Sequence, residues 1–178
     1  MSHSPAPARP SYRRRVAMDE LLDRFDADRV PTGVPAPPAL RTVLVTCMDA
    51  RVDPAALFGL APGEVHVLRN AGGVVTDDVL RSLTISQRKL GTRDVVLVQH
   101  IGCGMATFTD DEFVEELVQH TGSRPPWRPQ AFADVGSSVR SGVHRLATDP
   151  FLSPDTRVRG FVLDLDGSEL HEVDAPVT

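Results

Sequence analysis

Cysteine is nearly missing from this chain: its 178 residues include two, Cys47 and Cys103. So few exclude a disulfide-dense secreted scaffold. Three readings remain for the pair: buried filler, a single disulfide, or ligands for a metal. Positive charge is also in deficit, with 19 Lys and Arg against 24 Asp and Glu and a formal net charge of −5. A surface of that sign repels phosphate, which excludes general nucleic-acid binding. The deficit is uneven, because Arg9, Arg13, Arg14 and Arg15 fall in the first 15 residues with no acid among them. No run approaches the roughly 20 apolar residues that span a bilayer. The opening MSHSPAPARPSYRRR lacks the apolar stretch of a secretory signal. A cytoplasmic protein with reduced thiols and no membrane partner is therefore expected.

What is present suits a soluble globular protein, 41% hydrophobic and 24% charged. Residues 1–15 read as a disordered basic tail. Residues 16–39 read as an N-terminal helix over Met18 to Arg29 followed by a linker, since PTGVPAPP has four prolines in eight residues. Residues 40–178 read as one α/β domain. Within it, TVLVT from Thr42, EVHVL from Glu64 and VVLV from Val95 are strands, two of them apolar enough to be buried on both faces. Between them Thr76 caps a helix that runs to Leu90 and stops at Gly91. Thr109 to Glu112 form a capping box for a helix stopped by Gly122. A further helix is expected from Pro129 to about Thr148, and a terminal hairpin from Arg159 to Val173 around Asp166-Gly167. Strands alternating with helices imply a mostly parallel central sheet flanked by helices.

In such sheets ligands bind beyond the carboxyl ends of the strands, and both cysteines fall there. Cys47 closes the first strand; Cys103 follows the third, three residues after His100. Two thiolates and an imidazole form a three-ligand set for zinc with the fourth position open, the pattern of a catalytic site. His66, mid-strand, is a poor ligand candidate, and His3, His120, His144 and His171 read as tail or surface positions. Asp49 and Arg51, at alternate positions of an extended segment, can emerge beside Cys47. A free carboxylate there would ligate the metal and plug the site. Paired with a guanidinium, it stays off the metal and accepts a hydrogen bond from hydroxide. Arg69-Asn70-Ala71-Gly72-Gly73 is either an anion cradle before a helix or a tight turn.

Cys47-Met48-Asp49-Ala50-Arg51, the RNAGG segment and His100-Ile101-Gly102-Cys103-Gly104-Met105, in that order, resemble the β-class carbonic anhydrases, most of all the small bacterial type. The likeness runs from about Val16 to the C-terminus. It implies an α/β fold of that class, at least dimeric, with one Zn²⁺ per chain held by Cys47, His100 and Cys103. It also implies an Asp49–Arg51 catalytic dyad, and in some members the aspartate is a fourth metal ligand in a closed form. The implied reaction is reversible hydration of CO2 to bicarbonate and a proton by zinc-bound hydroxide, with backbone N–H groups of Gly102 and Gly104 available to the developing bicarbonate. Two departures bear on substrate. The plant-type pocket tyrosine has no counterpart, Tyr12 being the one tyrosine and lying in the tail, and Ile101 and Gly102 stand where many members are polar. The alternatives are a carbonyl sulfide hydrolase with the same ligands and a non-catalytic zinc-binding regulatory module.

Overall fold

In the computed structural model residues 12–175 are described, and the chain divides after Val34 into two compact units. The first holds helix α1 (Tyr12–Asp23) and a single 3₁₀ turn, Ala27–Arg29. The expected helix from Met18 to Arg29 is thus two pieces. Its break lies at Asp26, whose carboxylate accepts from the Asp28 N–H and restarts the chain as a cap. The helix also begins earlier than expected, inside the stretch read as tail. Tyr12 follows the last early proline, and the arginines after it are good helix formers. Residues 1–11, the bulk of the expected disordered tail, lie outside the described residues. Leu21, Leu22 and Phe25 are exposed.

The second unit is built on a five-stranded sheet in the order β2-β1-β3-β4-β5, comprising β1 (Thr42–Cys47), β2 (Val65–Asn70), β3 (Asp94–His100), β4 (Arg157–Asp164) and β5 (Glu169–Glu172). The first four strands are parallel, and β5 returns antiparallel to β4 as the expected hairpin. Short α2 (Pro54–Phe58) leads from β1 to β2, and α3 (Asp77–Leu90) from β2 to β3. Helices α4 (Asp110–Thr121) and α5 (Val135–Thr148) lead from β3 to β4. The caps stand where the sequence puts them: Thr76 on the Val79 N–H, and Thr109 with Glu112 as a reciprocal box.

One face of the sheet carries the main core, in which Val43, Val45 and Leu97 pack against Val79 and Leu83 of α3 and Val139, Val143 and Leu146 of α5. Gly160 of β4 lets α5 lie this close, because a Cβ there would come within 2.5 Å of Val139 Cγ1. On the other face Leu44, Val98 and Leu163 pack with Val52. The start of α5 differs from expectation by six residues. Segment 130–133 is tied elsewhere, with the Phe132 N–H on the Met105 carbonyl and the Ala131 N–H on Asp110, so Asp134 becomes the cap in place of Pro129. No helix among the described residues is long and apolar enough to cross a membrane.

Candidate metal centre

Strands β1 and β3 are hydrogen-bonded neighbours, with Thr46 facing Val98, so their carboxyl ends bring Cys47 and His100 to one rim. Past His100 the chain turns through Gly102, at φ 69°, and returns Cys103 to the same point. One ligand atom from each of Cys47, His100 and Cys103 lies within 4.8 Å of the others, and all three side chains are buried. The two sulfurs are 3.8 Å apart and not bonded to each other. Two zinc–sulfur bonds of about 2.3 Å at a tetrahedral angle subtend about 3.8 Å, so the sulfur spacing fits that ion.

The donor chemistry agrees. His100 Nδ1 donates to the Ile101 carbonyl at 2.9 Å, which places the ring proton there and leaves Nε2 as a bare lone pair, buried without a partner. Burial pushes the Cys103 thiol up from its ordinary pKa, and the neighbouring Cys47 pushes it further. Two thiols and an imidazole lone pair aimed at one dry point are costly unless a cation joins them. Apolar Ala71, Met105, Phe108, Ala131 and Phe132 close around the cysteines.

Asp49 stands at the edge of this cluster, with Oδ2 3.6 Å from His100 Nε2. It is not reached through extended backbone as expected. Asp49 to Val52 form a turn closed by the Val52 N–H on the Asp49 carbonyl, with the Arg51 N–H on Asp49 Oδ1. That turn folds Arg51 back on the carboxylate, Nε to Oδ1 at 3.0 Å and Nη2 to Oδ2 at 2.7 Å. Hydrogen bonds from Arg51 hold the Asp49 carboxyl far below the usual carboxylate range. Arg51 Nη2 also donates to the Gly102 carbonyl at 3.0 Å, tying the two ligand-bearing loops together. Gly102 and Gly104 are exposed, the latter opening a 3₁₀ turn after Cys103.

RNAGG is a close-approach device. A Cβ on Gly73 would lie 2.8 Å from the Cys47 nitrogen and from the Thr46 carbonyl carbon, and φ there is 61°. Helix α3 begins at Asp77, several residues later, so the glycines do not line its N-terminus. The side chains around them escaped the sequence reading. Gln99 Nε2 donates to the Gly72 carbonyl, and Asn70 Nδ2 to that of Val74. Arg69 reaches the carbonyls of Cys47 and Asp49. The available signals were a polar Gln99 inside the run VVLVQH and the RNAGG segment itself. His66 does not join the metal cluster. It bonds Ser86 and the Ala36 carbonyl, while His120 and His171 sit on the surface and His3 lies outside the described residues.

A parallel α/β sheet carrying two cysteines and a histidine at its carboxyl rim, with an aspartate held off them by arginine, defines a metal-binding protein of enzymatic type. Comparison with known proteins makes this specific. The carbonic anhydrase family profile matches residues 42–157. Beta-carbonic anhydrase 1 of Mycobacterium tuberculosis is 49% identical over 159 residues, covering 89% of this chain and 98% of its own length. The carbonic anhydrase of Streptococcus mutans superposes with a TM-score of 0.75 at 34% identity, covering 94% of this chain and all of the other. A carbon disulfide hydrolase of an Acidianus strain is 30% identical over 74% of this chain and 76% of its own length. This chain belongs to the β-class carbonic anhydrases.

Proposed function

We propose that this chain is a carbonate dehydratase that interconverts CO2 and bicarbonate, with one zinc ion per chain held by Cys47, His100 and Cys103. The observation that carries this reading is the buried cluster of those three ligand atoms beside a carboxylate already committed to Arg51. Bound zinc supplies Lewis acidity, bringing the pKa of water from about 16 toward 7. The protein supplies the rest. The Asp49 carboxylate, kept ionised by Arg51, would accept a hydrogen bond from hydroxide at the centre and so turn its lone pair toward CO2. Arg51 prevents Asp49 from becoming a permanent fourth ligand, which is what separates this reading from a non-catalytic zinc module. CO2 has no charge to grip, and the apolar wall of Ala71, Met105 and Phe132 suits it. Hydroxide adds to the CO2 carbon, giving bicarbonate, and a proton leaves to solvent. Backbone N–H groups at Gly102 and Gly104 are the donors assigned to the developing anion.

Stopped-flow CO2 hydration on zinc-loaded protein tests the reading. Rates no faster than buffer at neutral and mildly alkaline pH would overturn it. Arg51→Ala separates the roles: it retains zinc while kcat falls about 100-fold, within the range removed with one proton-handling group. A second reading, hydrolysis of carbonyl sulfide, has its own support in the relatives named as carbon disulfide hydrolases and in the exposed apolar Met48 and Ile101 next to the ligands. Sulfide release with kcat/KM above that for CO2 would promote it. In organisation, a basic tail runs into an N-terminal arm of helix and Pro-rich linker that extends to residue 39, and residues 40–178 are the catalytic domain. The exposed Leu21, Leu22 and Phe25 of the arm support a homodimer or larger homo-oligomer, which light scattering would measure. Unpaired thiols support a cytoplasmic setting.

A further inference from the structure

Arg69 is neither a ligand nor part of the dyad, yet its side chain crosses from β2 to the segment that carries both. Beyond Cys47 the β1–β2 ladder continues for one bond, from the Met48 N–H to the Asn70 carbonyl at 2.8 Å. There the strand ends, and the Arg69 guanidinium takes over. Nε donates to the Cys47 carbonyl at 3.0 Å and Nη2 to the Asp49 carbonyl at 2.8 Å.

We propose that Arg69 is a positioning residue of the metal centre, whose guanidinium edge fixes the distance between the Cys47 and Asp49 carbonyls and so orients the Asp49 N–H and carboxylate. The spacing of Nε and Nη2 is rigid, so two carbonyls two residues apart are held at one separation. That separation sets the plane of the Met48–Asp49 peptide, and the Asp49 N–H then points at Cys47 Sγ, 3.4 Å away. A hydrogen bond to sulfur withdraws charge from a thiolate and tunes it as a donor. The same peptide fixes where the Asp49 side chain starts. Arg51 holds the carboxylate at its far end, and Arg69 holds the backbone at its near end. With the near end loose, the Asp49 carboxylate, whose Oδ2 already lies 3.6 Å from His100 Nε2, is free to turn in beside the three ligands and compete for the metal.

A merely structural role fits less well. Arg69 is exposed along its outer side on an edge strand and belongs to none of the buried clusters. Its side-chain bonds go to the carbonyls on either side of Met48.

The inference rests on the proposed metal centre, so its test starts with metal binding by the full-length wild type. Failure of that protein to take up stoichiometric zinc or cobalt would remove the metal-centre reading and this inference with it. Given uptake, Arg69→Ala and Arg69→Lys are compared as cobalt- and zinc-loaded proteins. The readouts are the thiolate-to-cobalt charge-transfer absorption, zinc release to a chelating dye, thermal midpoint, kcat and KM. The expected result for Arg69→Ala is a cooperative thermal transition, a displaced charge-transfer band, zinc release faster by about tenfold and kcat lower by a similar factor, with KM little changed. Lysine, able to hold one carbonyl but not to set the spacing of both, falls between. Added guanidinium ion moves the Arg69→Ala band back. A wild-type band and wild-type zinc release in Arg69→Ala overturn the proposal whatever the thermal midpoint does. If the alanine variant does not fold, the same two measurements on Arg69→Lys decide it, and wild-type values there overturn it.

Discussion

At the amino ends of β3 and β4, Arg157 lies along Asp94 with Nε and Nη2 on the two carboxylate oxygens at 2.6 and 2.5 Å. Nearby, Gln87 and Arg88 of α3 bond Ser153, Thr156 and the Phe151 carbonyl. At the carboxyl ends of the same sheet, side chains also hold backbone, but it is the backbone next to Cys47, His100 and Cys103. Arg69, Asn70, Gln99 and Arg51 all donate to backbone carbonyls of the loops that carry or back the ligands. At the amino ends the ion pair links a largely exposed arginine to its neighbour, where water can take the place of a lost partner. The bonds at the carboxyl ends join backbone to backbone through a side chain, so losing one moves the positions from which the ligands hang. The same sheet thus has one end built for tolerance and one for geometry.

The largest effect is expected from Cys47→Ser. A hydroxyl is a poor zinc donor beside a thiolate, and the remaining Cys103 and His100 make an incomplete set. Stoichiometric zinc and CO2 hydration should both disappear, while circular dichroism reports a folded sheet. Retained zinc at one per chain would remove Cys47 from the ligand set. Gly73→Ala comes next. Its new methyl meets the backbone of Thr46 and Cys47 at 2.8 Å, and backbone cannot rotate aside as a side chain can. The positive φ adds strain, for a cost of about 1 to 3 kcal/mol. Zinc affinity and rate should fall together, read by chelator competition and stopped flow. An alanine variant with wild-type affinity would show that the carboxyl rim is less rigid than the comparison holds.

How far the sequence foretold this arrangement depends on whether the cause is local. Strands β1 and β3 were legible as β-branched apolar runs, and α3 and α4 by their caps, since cap and helix lie within a few residues. That Cys47, His100 and Cys103 meet was legible because the topology sends the ends of neighbouring strands β1 and β3 to one rim. The start of α5 was not. Pro129 is a good first residue in isolation, but the bonds from Phe132 to Met105 and from Ala131 to Asp110 cross the fold and hold that segment off the helix. The bend of Arg51 onto Asp49 depends on a turn that an extended reading missed. Arg69 stood in the RNAGG motif, but its bonds were invisible for the same reason, its partners being 22 and 20 residues away at the end of the neighbouring strand and in the turn beyond it. Side chains that bond distant backbone leave no periodic trace.

The smallest effect is expected at the tolerant end, and it is the sharper test of the comparison. Arg157→Ala breaks the ion pair with Asp94, which is geometrically as good as the Arg51–Asp49 pair at the other end of the sheet. If the quality of an ion pair decided its importance, the two variants would behave alike. Position in the fold predicts that they differ. Arg157 is largely exposed and touches no ligand loop, so hydration replaces its partner. Zinc content, kcat and KM should match the wild type, with the thermal midpoint lowered by no more than a few degrees. A loss of rate without loss of fold in Arg157→Ala would mean that the amino end of the sheet transmits strain to the metal rim through β3, and the division between the two ends would fail.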